Sequence, residues 1–352
     1  MSDIEFVQIA LELAQKGFPN TRPNPMVGAV LVYDRKVIAQ GYHHGFGLPH
    51  AEIEAFNDAY SKGVSDELIA QSTLYVTLEP CCHFGKTPPC VDAIIKSGVK
   101  KVVVATQDPN PKVAGNGIQK LKQANVEVIT GCLENQARKL NQRFFTFHEK
   151  KRPFVILKWA QTSDGYIARS DYSSKWISSE LSRQLAHQWR DQEMAIMIGT
   201  NTAVHDNPKL TARVPNGRNP TRIILDRTQR VPTSFFVFDE SAPVVIYNEQ
   251  EDHSKNLLSL VKINFDDCVI QTILSDLCLR GIQSVIVEGG AKLLNSFLSA
   301  QLWDEARIFT GQEKFLKGIM APKLPVALGK TGYELQKFQL GGDLLEVFNR
   351  FN

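Results

Sequence analysis

The chain has 352 residues, enough for two domains with cores of their own. Lys and Arg number 40 against 37 Asp and Glu, a net charge of +3. That is too mild for a surface that tracks nucleic-acid phosphates, although local basic pockets fit within it. No apolar run approaches membrane-spanning length, and residues 1–5 lack a basic region followed by an apolar one, so neither a membrane anchor nor a signal peptide is expected.

Ser2 and Glu5 make a capping-box pattern for a helix that runs to Ala14 and stops at Gly17. Strands are predicted over 26–33 and 36–42, around a turn at Asp34-Arg35. A short helix over 52–60 opens just after His50. Strand 73–78 then delivers Glu79-Pro80-Cys81, and a loop rich in Gly and Pro leads to a helix between Cys90 and Gly98. A strand over 101–105, a helix over 118–124 and a strand over 126–129 complete an α/β layered domain with a mixed sheet. The polar run 148–153, ending in Pro153, reads as a joint, so the expected domains are residues 1–148 and 149–352. Beyond it a second α/β pattern has strands over 154–159, 195–198, 222–225, 244–247 and 284–287. Its helices fall over 179–190, 268–279 and from Gly290 through Leu298.

His50-Ala51-Glu52, Pro80-Cys81 and Cys90 supply three zinc donors and one carboxylate beside the first donor. A site with three protein ligands keeps a fourth position for water, which the metal makes acidic enough to ionise near neutral pH. Glu52 can carry the proton from that water to departing ammonia, the parts needed for hydrolytic deamination of a base-like ring. The usual Cys-x-x-Cys spacing is absent: position 84 is Phe84 and the next usable thiol is Cys90. Cys82 adjoins Cys81, and neighbouring thiols rarely serve one tetrahedral ion. A structural zinc would leave Glu52 idle.

In the second half, strand 284–287, Gly289-Gly290 and a helix start form a cradle where small residues let backbone approach a phosphate. The same residues read equally as a tight turn, and no Gly-x-Gly-x-x-Gly fingerprint accompanies them. Asp206-Asn207-Pro208 reads as a turn, Trp176 as packing, and Arg190 and Arg213 as solvated charges.

Taken in order, Asn24-Pro25-Met26-Val27-Gly28, His50-Ala51-Glu52, Thr77-Leu78-Glu79-Pro80-Cys81, Gly85-Lys86-Thr87-Pro88-Pro89-Cys90 and Gln107-Asp108-Pro109-Asn110-Pro111 form one set. Downstream stand Leu157-Lys158, Ser163-Asp164-Gly165, Lys175-Trp176-Ile177, residues 206–211 and Val287-Glu288-Gly289-Gly290. Over nearly its whole length the chain resembles the bifunctional pyrimidine deaminase–reductases of riboflavin biosynthesis, and the long cysteine spacing belongs to that pattern. The resemblance implies a cytidine-deaminase-like three-layer domain followed by a dihydrofolate-reductase-like domain. It implies hydrolytic deamination of 2,5-diamino-6-ribosylamino-4(3H)-pyrimidinone 5′-phosphate. Reduction of the ribosyl chain by NADPH then gives 5-amino-6-(5-phospho-D-ribitylamino)uracil. By resemblance His50, Cys81 and Cys90 hold one Zn2+ and Glu52 shuttles the proton. Substrate contacts are implied for Ser174, Arg190, Leu210, Arg213 and Glu288, and cofactor contacts for Gln161, Trp176, Thr202, Asp206 and Gly290. Lys158 and Asp206 are the candidates for the reductase proton donor, with a structural salt bridge as the other reading of each.

The partners expected are phosphorylated pyrimidine small molecules, with no nucleic acid and no membrane; a homo-oligomer stays open. Of six cysteines, three cluster at the proposed metal and three are scattered, which is no disulfide framework and fits a reducing, cytoplasmic compartment. Two other readings stand beside this one. The first is a zinc-dependent nucleic-acid base deaminase with a binding domain, which the near-neutral charge disfavours. The second is a non-catalytic zinc-stabilised scaffold, from which ammonia release would discriminate.

Overall fold

The structure is a computed structural model that describes residues 1–174, 177–325 and 333–350. It divides into two compact units, Met1–Lys151 and Arg152–Asn352. No helix among the described residues is long and apolar enough to cross a membrane.

The first unit runs α1 (Asp3–Gln15), β1 (Gly28–Tyr33), β2 (Lys36–Tyr42), α2 (Ala51–Ser61), α3 (Asp66–Ala70), β3 (Thr73–Val76), α4 (Cys90–Lys96), β4 (Lys101–Val104), α5 (Asn116–Gln123), β5 (Glu127–Thr130), α6 (Glu134–Leu140) and α7 (Gln142–Lys150). Its sheet has the order β2-β1-β3-β4-β5. The β1 strand pairs antiparallel with β2 and β3, whereas β3, β4 and β5 run parallel. Side chains alternate across a strand, so both faces of β1 are used. Ala29 and Leu31 pack with α2 and α4, through Ala55, Phe56, Val91 and Ile94. Val30 and Val32 pack with Phe6, Val7 and Leu11 of α1 and Ala137 of α6. The expected capping box forms, with Ser2 N–H donating to Glu5 Oε2 at 2.6 Å.

Two local expectations shift. Strand 73–78 ends at Val76, because Thr77 turns its hydroxyl to accept from Gly28 N–H at 3.1 Å and Glu79 N–H donates to the Thr106 carbonyl. The polar run from 148 is helical as far as Lys150, with Glu149 paired to Arg138 at 2.8 Å, and the helix stops at left-handed Lys151.

The second unit runs β6 (Phe154–Gln161), β7 (Tyr166–Ala168), α8 (Glu180–Gln192), β8 (Ala195–Gly199), α9 (Thr200–Asp206), β9 (Thr221–Leu225), β10 (Val244–Asn248), β11 (His253–Lys255) and β12 (Leu258–Lys262). It continues with α10 (Val269–Leu279), β13 (Ser284–Val287), α11 (Ala291–Ser299), β14 (Glu305–Thr310), β15 (Ile319–Met320), β16 (Tyr333–Leu340) and β17 (Asp343–Arg350). The main sheet has the order β11-β12-β10-β9-β8-β13-β6-β14-β17-β16. From β12 to β14 neighbours run parallel; β11 and the β17–β16 hairpin are antiparallel edges. Val155, Leu157 and Trp159 of β6 face α10 and α11, and Phe154 and Ile156 face Ala186 and Trp189 of α8. Burial on both faces explains why these strands read as near-continuous apolar runs. Parallel strands also deliver their C-terminal ends to one edge of the sheet, where α/β proteins bind ligands.

Candidate functional site

In the first unit three donors converge. His50 caps the N-terminus of α2, Cys90 is the first residue of α4, and Cys81 lies in the segment after β3. Their donor atoms lie within 4.8 Å of one another. His50 Nδ1 is 3.3 Å from Cys90 Sγ and 3.5 Å from Cys81 Sγ. Bonds of about 2.1 Å to nitrogen and 2.3 Å to sulfur at a tetrahedral angle put such atoms roughly 3.6 Å apart, so the donor set fits zinc. The Cys81 carbonyl accepts from Val91 N–H at 3.2 Å, and Cys81 Sγ from Cys90 N–H at 3.3 Å, which fixes the two cysteine segments together. The Cys90 thiol hydrogen-bonds Cys81, lowering the Cys81 pKa and raising that of Cys90, which burial raises further. Cys82 points elsewhere, its sulfur 3.9 Å from the Lys112 carbonyl.

Glu52 sits in the first turn of α2, buried beside these donors; burial pushes its carboxyl up to about 7. At that value it can both accept and release a proton near neutral pH. Around this cluster the structure adds partners that sequence reasoning missed. Thr87 Oγ1 is 3.4 Å from His50 Nε2. His43 is buried, bridges Asn24 Nδ2 at 3.1 Å and the Pro49 carbonyl at 3.0 Å, and meets His50 edge-on at 5.3 Å between ring centroids. Glu79 is buried and accepts four backbone N–H groups, from Asp108, Gly115, Gly117 and Ile118, at 2.9–3.2 Å. One carboxylate thereby folds the 108–118 loop against the segment that carries Cys81. Gly117 has to be glycine, since a Cβ there would sit 2.2 Å from the Pro80 carbonyl oxygen.

In the second unit the C-terminal ends of the parallel strands border a cavity of about 1090 Å³. Of the residues singled out in the sequence, Ser174, Thr202, Asp206, Glu288 and Gly290 line it, as does Lys158. Arg190, Leu210, Arg213 and Gln161 do not. The Gln161 side chain is engaged by Trp159 Nε1 at 3.0 Å and Thr310 Oγ1 at 3.3 Å. Trp176 lies outside the described residues. Gly290 N–H, in the turn read as a phosphate cradle, donates to Thr202 Oγ1 at 2.9 Å. A Cβ at Gly289 would meet Leu293 Cδ2 at 3.0 Å, so the small residue keeps the turn tight against α11. Arg227, Arg230 and Lys292 add positive charge to the lining.

Glu288 is the electrostatic centre of this site. Arg190 grips it bidentately, Nε to Oε1 at 2.9 Å and Nη2 to Oε2 at 2.8 Å, and Lys158 Nζ lies 3.5 Å from Oε2. Burial alone would raise the Glu288 pKa, but Arg190 and then Lys158 outweigh it and hold the group at about 2. The carboxylate stays ionised and fixed at the cavity wall. Arg190 lies behind it, and its Nη1 reaches the Thr211 carbonyl at 3.3 Å. Leu210 is buried and Arg213 exposed, both with left-handed backbone at φ 55°.

Residues 1–106 match the cytidine and deoxycytidylate deaminase zinc-binding region, and residues 153–311 match the RibD C-terminal domain. The riboflavin biosynthesis protein RibD of Aquifex aeolicus is 41% identical, with 99% of each chain covered. The chain belongs to the RibD family of riboflavin biosynthesis proteins. The Bacillus amyloliquefaciens RibD is 42% identical over 91% of this chain and 86% of its own. A Thermotoga maritima structure described as a diaminohydroxyphosphoribosylaminopyrimidine deaminase/5-amino-6-(5-phosphoribosylamino)uracil reductase superposes with a TM-score of 0.87, 40% identity and 99% of each chain covered. Acinetobacter baumannii RibD superposes with a TM-score of 0.86 at 34% identity, again over 99% of each. Membership makes the chain a bifunctional enzyme of riboflavin biosynthesis, a zinc-binding deaminase followed by an NADPH-dependent reductase, acting on small pyrimidines.

Proposed function

We propose that this protein deaminates 2,5-diamino-6-ribosylamino-4(3H)-pyrimidinone 5′-phosphate at its first unit and reduces the ribosyl chain of the product at its second. The observation that carries the first half is the convergence of His50, Cys81 and Cys90 beside buried Glu52. Bound zinc supplies a water acidic enough to ionise near neutral pH. Glu52, no ligand itself, takes up the proton and hands it to the departing amine; its elevated pKa suits both directions.

In the second unit NADPH, when bound, supplies the reducing equivalent. Thr202, Asp206 and the Gly290 turn hold the cofactor; the family resemblance assigns it Gln161 and Trp176 as well, the first outside the cavity lining and the second outside the described residues. Ser174 and Glu288, on the cavity wall, meet the sugar side of the substrate; Arg213 and Leu210, which lie outside that lining, are assigned to its phosphate by the family resemblance, a group that arginine grips well. Arg190 keeps Glu288 ionised and aimed. Lys158, 3.5 Å from Glu288, is the group placed to lend a proton at the cavity wall. The reaction takes free phosphorylated pyrimidines and no nucleic acid. Six free cysteines suit a reducing, cytoplasmic setting. The test is incubation of purified protein with the diamino phosphate, with ammonia and NADPH oxidation followed separately. Absence of ammonia release from zinc-loaded protein would overturn the deaminase half, and absence of NADPH oxidation on the deaminated compound would overturn the reductase half.

Two further outcomes are expected. Cys90→Ser should lose zinc on dialysis while Cys82→Ser keeps it, read by metal analysis, because Cys90 belongs to the donor cluster and Cys82 does not. The reverse pattern would refute the ligand set. NADPH should exceed NADH in kcat/KM, with Arg230 the leading 2′-phosphate contact: it lines the cavity, whereas its neighbour Arg227 is already paired with Glu249 at 2.7 Å. Arg230→Ala should cut that preference by roughly ten- to hundredfold, the ~1.5–3 kcal/mol of a hydrogen bond to a charged group. An unchanged ratio would remove Arg230 from the role.

A further inference from the structure

The segment from Leu210 to Arg213 is held against its own backbone preference. Both end residues have φ 55°, in the left-handed region that residues with side chains rarely adopt. Such conformations persist where the surroundings over-determine them, and they gather at binding sites. Three anchors do this here. His187 Nδ1 lies 3.0 Å from the Thr211 carbonyl, Arg190 Nη1 donates to the same oxygen at 3.3 Å, and Ala212 N–H donates to Asn219 Oδ1 at 3.1 Å.

The two donors to Thr211 are unequal. His187 and Arg190 are three residues apart on α8 and so share a face. Arg190 is also bound to Glu288 through two shorter bonds, at 2.9 and 2.8 Å. A carbonyl accepts from Nδ1–H only, so this contact sets the His187 tautomer and leaves Nε2 as its unprotonated nitrogen when the ring is neutral. Arg190, Arg213 and Glu288 are charged groups that act on the ring, with Glu180 two helix turns before it.

We infer that His187 is a positioning residue of the reduction: by holding the Thr211 carbonyl against α8 it sets Leu210 and Arg213 in register with Glu288, so that one rigid frame receives the phosphorylated substrate. This rests on the reading given above, that Leu210, Arg213 and Glu288 meet substrate. The role differs from general stability because the frame carries Leu210 and Arg213, which that reading assigns to the substrate, and none of the residues it assigns to the cofactor.

The experiment compares full-length wild type, His187→Phe and His187→Gln on the deaminated aminouracil phosphate. Phe keeps the ring and deletes the donor; Gln restores an N–H of similar reach. His187→Phe should raise the substrate KM roughly five- to tenfold, the worth of one neutral hydrogen bond. Its kcat, its KM for NADPH and its ammonia release should stay within about twofold, and His187→Gln should recover most of the substrate KM. A wild-type KM in His187→Phe, equal losses in the two variants, or an equal rise in the KM for NADPH would overturn the inference. Should His187→Phe be insoluble, His187→Ala carries the same expectation. Failure of wild type to oxidise NADPH with this substrate would instead overturn the functional reading beneath it.

Discussion

Glu52→Gln protein should hold as much zinc as wild type and release ammonia roughly 10²–10⁴-fold more slowly, the range that a positioned general acid–base contributes. Glu52 is not among the three converging donors, so its loss leaves the metal site complete. It is buried, and the amide that replaces it keeps the shape without a titrating proton. Reduction of pre-deaminated substrate should be untouched, because every group assigned to that reaction belongs to residues 152–352. Bound zinc, ammonia and NADPH oxidation are the three readouts. Full ammonia release by the zinc-loaded variant would strip Glu52 of its role.

Glu288→Gln should abolish reduction and also weaken the fold of its unit. It leaves Arg190 and Lys158 beside a neutral group in a buried place, and breaking such a pair costs about 3–5 kcal/mol. The pH dependence follows from the depressed pKa. Glu288 titrates at about 2 when folded, against an ordinary 4.5. Its stabilisation is therefore complete above the ordinary value and is lost as pH falls from there towards the folded one. The wild-type melting temperature should drop through that acid window more steeply than that of Glu288→Gln. Parallel acid profiles in the two proteins would show that the ion pair carries no such weight. Ammonia release by Glu288→Gln should remain at the wild-type level.

Much of the metal centre was legible because its chemistry is local. His50-Ala51-Glu52 announces a donor and a carboxylate at a helix start, and the structure puts His50 and Cys90 at the N-termini of α2 and α4. Glu79 was not legible as a hub. Nothing in a glutamate after Thr77-Leu78 says that it will gather N–H groups from 29 to 39 residues away. The three-way contact of Glu288 with Arg190 and Lys158 was hidden for the same reason, since it joins three elements distant in sequence. The β17–β16 hairpin does carry a sequence signal, Gly341-Gly342 between two runs rich in apolar residues. The left-handed backbone of Leu210 and Arg213 had no signal at all, because neither residue favours the region where tertiary contacts hold it.

One chain carries two separate sites on this reading, and mixing two variants tests that most directly. Glu52→Gln and Glu288→Gln proteins would be supplied with the diamino phosphate and NADPH, alone and together, and the ribitylaminouracil phosphate measured. Glu52→Gln alone should form it only at its residual rate, roughly 10²–10⁴-fold below wild type, and Glu288→Gln alone should stop at the deaminated intermediate. The mixture should complete the conversion, as each chain supplies the step that the other lacks. A mixture of folded, zinc-loaded chains that accumulates intermediate without reducing it, or that never deaminates, would contradict two independent sites.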